Sequence, residues 1–489
     1  MQLNNDLILG LDIGSSSVRG ALFDHAGKIQ AGSLVKIDAS LVGDELVVAD
    51  KVLDNVIAAI DGVFEKSSDS KGDITHIASC AFWHSLVGVD SFGIPTTEVF
   101  TWADTRSREY TTKLRATFDE GEVHNRTGAR FHSSFWPAKL LWIREQHPAV
   151  WKRTARWLSA DDYVQSRLCN GAFTSISMAS ATGLFGLRKQ AWDAELLYHL
   201  RLKENSLPFV DRGAEGIAFN VTLQERWPLL KGAKWLPSIG DGAANNVGSR
   251  CVSNNKAALM VGTSGAIRIA FEGDPPDKLP NGLWCYRVDQ KRVIVGGALS
   301  DGGGLYALLK QDLQVELTDE AICEEIARRG ADSHGLSVMP FFFGERSTGY
   351  HESASGSIIG LNVSHDAIDI LQAAMEAVAF RFAEILDQLL KVAPVKQIVV
   401  SGGALHASPV WTQVIADVLG CDLLVSNEPE ASLRGAVLLA LESLGKIESI
   451  DSVPVSTSRL EFHPKCHEIY KKARKRHVSA YEKLIATPI

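Results

Sequence analysis

Several short segments combine residue types and spacings that could do chemistry. Asp12-Ile-Gly-Ser-Ser-Ser ends an apolar run and turns tightly. Glycine lets successive backbone N–H groups converge on an anion, and the hydroxyls of Ser15 and Ser16 add donors. A carboxylate beside such a cradle, here Asp12, can hold Mg²⁺, usually through water. Gly262-Thr263-Ser264-Gly supplies a second cradle. Two cradles facing across a cleft could grip a triphosphate from both sides, although either one alone also suits a plain β-turn. Asp241 stands in Ser238-Ile-Gly-Asp-Gly-Ala-Ala-Asn-Asn, where Gly242 and the other small neighbours leave room for a substrate to reach the carboxylate. An Asp in a Gly-rich turn also serves simply as a turn former. Trp102-Ala-Asp104-Thr-Arg106 joins a flat apolar ring, an acceptor and a planar cation, and Cys80-Ala-Phe-Trp83-His84-Ser is similar. Sugars suit such sets, because rings cover C–H faces and charged groups bind hydroxyls. Core tryptophans with solvated charges nearby are the plainer reading.

Other chemistries lack their motifs. There is no G-x-x-x-x-G-K-[ST] phosphate loop, no G-x-S-x-G elbow and no zinc spacing of Cys and His.

The elements that position these segments can be read from apolar patterning. Leu7 to Leu11 reads as a buried strand, and Val18 to Phe23 returns from it as a hairpin. The device recurs about 250 residues later. Ala257 to Val261 is a strand, Gly262-Thr-Ser-Gly the turn, and Ala266 to Phe271 the return. Two matched hairpins suggest two domains of related design, with the change near residues 240 to 256. Ile368, Leu371, Met375, Val378, Phe382, Ile385 and Leu389 form one stripe on a long helix. A short strand at Ile398 to Val400 and helices at Val410 to Leu419 and Ala431 to Leu444 complete an α/β layered pattern.

Composition narrows the class. A chain of 489 residues leads to an expectation of two substantial domains. Its 45% hydrophobic and 22% charged residues are ordinary for a globular protein. A net charge of −8 argues against nucleic acid or anionic membrane as the main partner. The basic run from Tyr470 to His477 reads as a solvated face of the last helix. Seven scattered cysteines suggest reduced thiols. The first residues lack a basic stretch before a long apolar one, and no run approaches the ~18 apolar residues of a membrane helix. A cytoplasmic location is expected.

Taken in order, the segments resemble the FGGY carbohydrate kinases. The series is Asp12-Ile-Gly-Ser-Ser-Ser, Trp83-His-Ser, Trp102-Ala-Asp-Thr-Arg, Gly240-Asp-Gly, Gly262-Thr-Ser-Gly, Asp301-Gly-Gly-Gly and Ser401-Gly-Gly-Ala. Gly356-Ser-Ile-Ile-Gly-Leu, followed after seven residues by Asp369-Ile-Leu-Gln-Ala-Ala-Met-Glu, fits the family's C-terminal signature. The resemblance implies two RNase H-like domains of actin and hexokinase type, 1–245 and 246–489, closing on ATP and a sugar. It implies Asp241 as general base, with Asp12 positioning Mg²⁺. Phosphate would lie at Ser15, Ser16, Gly262, Thr263 and Ser264. Gly302, Gly303, Gly402, Gly403, Ala404 and Ser408 would border the nucleotide. Trp83, His84, Trp102, Asp104, Arg106 and Gly242 would face the sugar. Kinases of this family are often homodimers. A catalytically weak ATP-binding regulator on the same fold is the alternative of another class.

Within the family the closest likeness is to gluconate kinases, through Arg126-Thr-Gly, Pro137-Ala-Lys-Leu-Leu-Trp-Ile-Arg, Ser177-Met-Ala-Ser-Ala-Thr-Gly-Leu, Val261-Gly-Thr-Ser-Gly-Ala-Ile-Arg and Phe343-Gly-Glu-Arg. An acid substrate calls for a cation, with Arg106, Arg130, His132 and Lys139 as candidates. Thr127-Gly-Ala-Arg-Phe-His-Ser lacks two prolines usual in those kinases, so xylulose or another sugar acid or polyol stays open as substrate.

Overall fold

The computed structural model describes residues 6–39, 47–67, 72–171, 173–211 and 215–486. Its first sheet grows from Leu7–Ile13, buried at every position. This strand pairs antiparallel with Ser17–Phe23 and parallel with Ile74–Ala81. Val35–Asp38 adds to one side, and Lys234–Trp235 and Ile239–Gly240 add to the other. The second sheet repeats the plan. Lys256–Val261 pairs antiparallel with Gly265–Glu272 and parallel with Gln397–Ser401. Arg292–Leu299 then extends the hairpin side and Leu423–Ser426 the parallel side. Both predicted hairpins therefore take the same place in sheets of the same order. A turn leaves the C-terminal end of each first strand beside the end of a parallel strand.

The long helix runs from Ala367 to Leu389 and starts at a reciprocal cap between Asp366 and Asp369. Its apolar stripe covers the second sheet. A Cβ on Gly265 would lie 2.6 Å from Phe382, and one on Gly297 would lie 2.6 Å from Ile385. Helices Pro409–Leu419 and Ala431–Ser443 match the sequence reading closely.

The helix Ala431–Ser443 packs on the first sheet, not the second. Leu433, Val437, Leu438 and Leu441 belong to the core built by the N-terminal strands. Its partner is the helix Asp241–Gly248. A Cβ on Gly435 would stand 1.8 Å from the Ala244 carbonyl, and one on Gly248 1.8 Å from that of Ala431. Glycine lets the two backbones touch.

Beneath the first sheet lies a buried polar layer. The Ser159 hydroxyl and the Asp162 side chain cap the helix Ala160–Leu168 reciprocally. Asp161 accepts from Gln165 at 2.9 Å through one oxygen, while the other has no partner. Burial, with the neighbouring Asp162 charge, pushes the Asp161 carboxyl up to about 7. All seven cysteines are free. Among the described residues no helix is long and apolar enough to cross a membrane.

Candidate active site

Asp241 opens its helix directly after the strand Ile239–Gly240. The register sets Ile239 beside Cys80, and Cys80 is beside Asp12 on its other side. Two carboxylates thus converge at the end of the first sheet. Asp241 accepts the Gly242 N–H at 2.7 Å. Burial pushes its carboxyl above the ordinary range, while the Arg268 charge pulls against this. Burial also pushes Asp12 up to about 6; Arg19 opposes the shift and Asp241 adds to it. The glycines flanking the base are set by a ring. A Cβ on Gly240 would lie 1.8 Å from the Trp83 indole, and one on Gly242 2.5 Å.

The second half of the chain reaches this point from above. Arg268, on the strand after the second turn, donates to the Gly242 carbonyl at 2.8 Å. Asn245 donates to the Ser401 hydroxyl at 3.4 Å. Ser15 is partly buried and Ser16 exposed in the first turn; Thr263 is exposed in the second. Gly303 and Gly304 donate to the Gly262 and Thr263 carbonyls at 2.7 and 3.0 Å. Gly303 and Gly304 therefore brace the second turn, Gly302 packs against it (a Cβ there would lie 2.8 Å from the Ser264 carbonyl), and Gly303 also borders the cavity beyond it.

That cavity holds about 590 Å³ and is lined by Gly303, Tyr306, Lys310, Ala404, Ser408 and Trp411 among others. Its volume suits an adenosine. Gly402 (φ 107°) instead presses on the backbone of Val261, where a Cβ would lie 2.3 Å from the carbonyl oxygen. Gly403 faces open space. The Ser408 hydroxyl caps the helix Pro409–Leu419 through the Trp411 N–H, so part of its capacity is already used.

On the other side of Asp241 an aromatic wall forms. Trp284 and Tyr286 alternate along one strand and stack at 4.3 Å, and Trp83 meets Tyr286 edge-on at 5.2 Å. His84 donates from Nδ1 to the Ala181 carbonyl at 2.7 Å, so the proton sits on that nitrogen. Burial pulls its pKa down to about 3, so the ring is neutral. The Trp102 ring lies under the Arg346 guanidinium at 4.7 Å.

Asp104 and Arg106 are satisfied by each other. Arg106 Nε lies 3.1 and 3.0 Å from the two Asp104 oxygens, and its Nη1 reaches Glu98 at 2.7 Å. Lys139 gives its ammonium to three carbonyls: Thr101 and Ser134 at 2.7 Å and His84 at 3.3 Å. Arg130 pairs with Glu120 at 2.7 Å. His132 lies 3.6 Å from Glu352, which also takes the Ser133 N–H and hydroxyl. Of the four cations read from sequence, each has a partner in the protein. Arg268, Arg346, Trp284, Tyr286 and Tyr306 were not singled out by sequence. Arg268 and Arg346 stand inside stretches quoted above, and the i, i+2 aromatics carry a one-face signal.

A model of the FGGY family of carbohydrate kinases, N-terminal domain, matches residues 7–245, and one of its C-terminal domain matches 257–444. A gluconokinase of Bacillus licheniformis is 27% identical over 96% of this chain and 93% of its own. Among solved structures, a gluconate kinase of Lactobacillus acidophilus superposes with TM-score 0.88 at 24% identity, covering 99% of both chains. A ligand-bound xylulose kinase of the same organism gives the same score and identity over 98% of both chains. With both domain models matched in order across most of its length, the chain belongs to the FGGY family of carbohydrate kinases.

Proposed function

We propose that this FGGY kinase, which uses ATP as its family does, phosphorylates D-gluconate at the 6-hydroxyl, with Asp241 as general base. The observation that carries the chemistry is the position of Asp241. It opens a helix at the end of the first sheet beside Asp12, with the Trp83 indole packed on the glycines to either side and Asn245 of the same helix reaching Ser401 at the end of a strand of the second sheet. A sugar hydroxyl is a poor nucleophile at neutral pH, and phosphoryl transfer depends chiefly on alignment and charge neutralisation. The carboxylate takes the proton as the hydroxyl attacks. Water excluded by closure of the halves cannot intercept the phosphoryl group.

The donor set fits Mg²⁺. The Asp241 charge raises the proton affinity of Asp12, and a divalent cation would relieve that repulsion. Asp12 would hold the ion through water, and the ion would neutralise phosphate charge. The gluconokinase relative supports the acid substrate. The xylulose kinase, equal in structural likeness to the gluconate kinase, makes a ketopentose the second reading. The free thiols and net charge support a cytoplasmic enzyme acting on small molecules.

ADP release with Mg²⁺–ATP over gluconate, xylulose, glycerol, ribulose and erythritol tests the substrate. Strong turnover on gluconate alone is the expected result; dominance of a neutral sugar overturns it. Asp241→Asn should keep the fold and lose roughly 10²- to 10⁴-fold in turnover. Because burial raises the Asp241 pKa, kcat/KM should fall with decreasing pH from above the usual carboxylate range. Near-wild-type turnover in Asp241→Asn would remove Asp241 from the role.

A further inference from the structure

The cations near the sugar wall that sequence singles out are all engaged, yet one guanidinium in the cleft is not. Arg346 makes no ion pair among the described residues. Of its N–H groups only one, on Nη2, reaches an acceptor, the Leu299 carbonyl at 3.0 Å. Its Nε is buried with no partner. A guanidinium with donors left unused in a buried setting is costly unless something else accepts from them.

Its placement is built, not accidental. The next residue before it, Glu345, is fully buried and ion-paired to Arg381 at 2.5 Å, with the Tyr481 hydroxyl at 2.8 Å. Ser347 donates its N–H to the Ala298 carbonyl at 3.0 Å. The loop is thus pinned on both sides of Arg346. Its guanidinium plane lies over the Trp102 ring, which comes from the other half of the molecule. Tyr350, Tyr286 and the more distant charges of Asp241 and Asp301 surround it.

We propose that Arg346 receives the carboxylate of an acidic sugar substrate whose far hydroxyl is presented to Asp241. This rests on the sugar-acid reading above and deepens it. A guanidinium matches a carboxylate in two parallel hydrogen bonds, and here the unused donors supply them. The transferring phosphoryl group is the other anion that could claim Arg346. The Leu299 carbonyl that Arg346 holds lies opposite Gly265 at the edge of the second phosphate turn, but its face lies on Trp102 of the sugar-side segment, and that contact favours the carboxylate.

Calorimetry of gluconate without nucleotide, on wild type and Arg346→Met, separates the two. Gluconate affinity should fall roughly 30- to 1,000-fold in the variant, while the KM for ATP in steady-state assays moves far less. Arg346→Lys, which keeps charge without the fork, should recover part of the loss. Unchanged gluconate affinity with a collapsed kcat assigns Arg346 to the phosphoryl group and overturns the proposal. Should Arg346→Met melt at a lower temperature than wild type, Arg346→Gln repeats the comparison. A wild type that neither binds nor phosphorylates gluconate refutes the substrate reading itself, an outcome visible before any variant is made.

Discussion

Each carboxylate of the candidate site is held close to the point where its charge becomes costly. Asp12 and Asp241 both lose hydration by burial and both gain from nearby arginines. Asp161 has no such counter-charge, and burial, with the Asp162 charge, moves it to about 7. Its folded pKa exceeds the unfolded value of 3.8, so the folded state binds the proton more tightly between those limits. Stability therefore falls as pH rises from about 4 to 7 and is flat above. Asp161→Asn, which keeps the shape and removes the charge, should raise the melting temperature at pH 8. The gain should be on the order of 2 to 4 kcal/mol and shrink towards pH 5. Thermal melts at the two pH values check this; an equal effect at both would show that ionisation is not the cause. Reading residue positions from sequence worked where a motif fixes backbone geometry, as at Asp241, which opens its helix beside Asp12 at the end of the first sheet. It did not single out Arg346, since nothing local tells whether an arginine finds an acid partner. Arg106 and Arg130 look the same on paper, and their partners Asp104 and Glu120 bind them in the fold.

Among elements, the hairpins and the helix Ala367–Leu389 were legible because their periods, two and 3.6, come from backbone geometry alone. The aromatic wall was not, because the strand bearing Trp284 and Tyr286 meets loops that carry Trp83, His84 and Trp102. Lys139 is what joins them. From the helix Trp136–Gln146 it ties together the carbonyls of His84, Thr101 and Ser134. One of the four candidate cations for a substrate carboxylate thus sets the spacing of the segments carrying His84 and Trp102. Lys139→Met keeps the apolar stem and leaves three carbonyls without their donor. It should cost about 1 to 3 kcal/mol of stability. It should also raise the KM for the sugar at least several-fold more than that for ATP. Equal changes in both KM values would count against a role in shaping the sugar side.

At the scale of the whole molecule, the two related sheets are not two separable bodies. The helix Ala431–Ser443 comes from the second half of the sequence and closes the core of the first sheet. Sequence shows this helix as apolar but not which sheet it covers, because that choice lies in tertiary packing around Gly248 and Gly435. A fragment of residues 1–245 should accumulate as insoluble protein. Co-expression with 246–489 should return both pieces to the soluble fraction, as sedimentation of the lysates would show. A soluble, cooperatively melting 1–245 fragment would contradict the packing described. The same helix bears on how the protein is made. While the ribosome is still adding the second half, the first sheet waits with the face around Gly10 and Phe23 uncovered. Only when residue 443 has left the exit tunnel can it be sealed. Domain-by-domain folding of the nascent chain is thereby closed off, and the interval of exposed apolar surface is one that chaperones would have to cover.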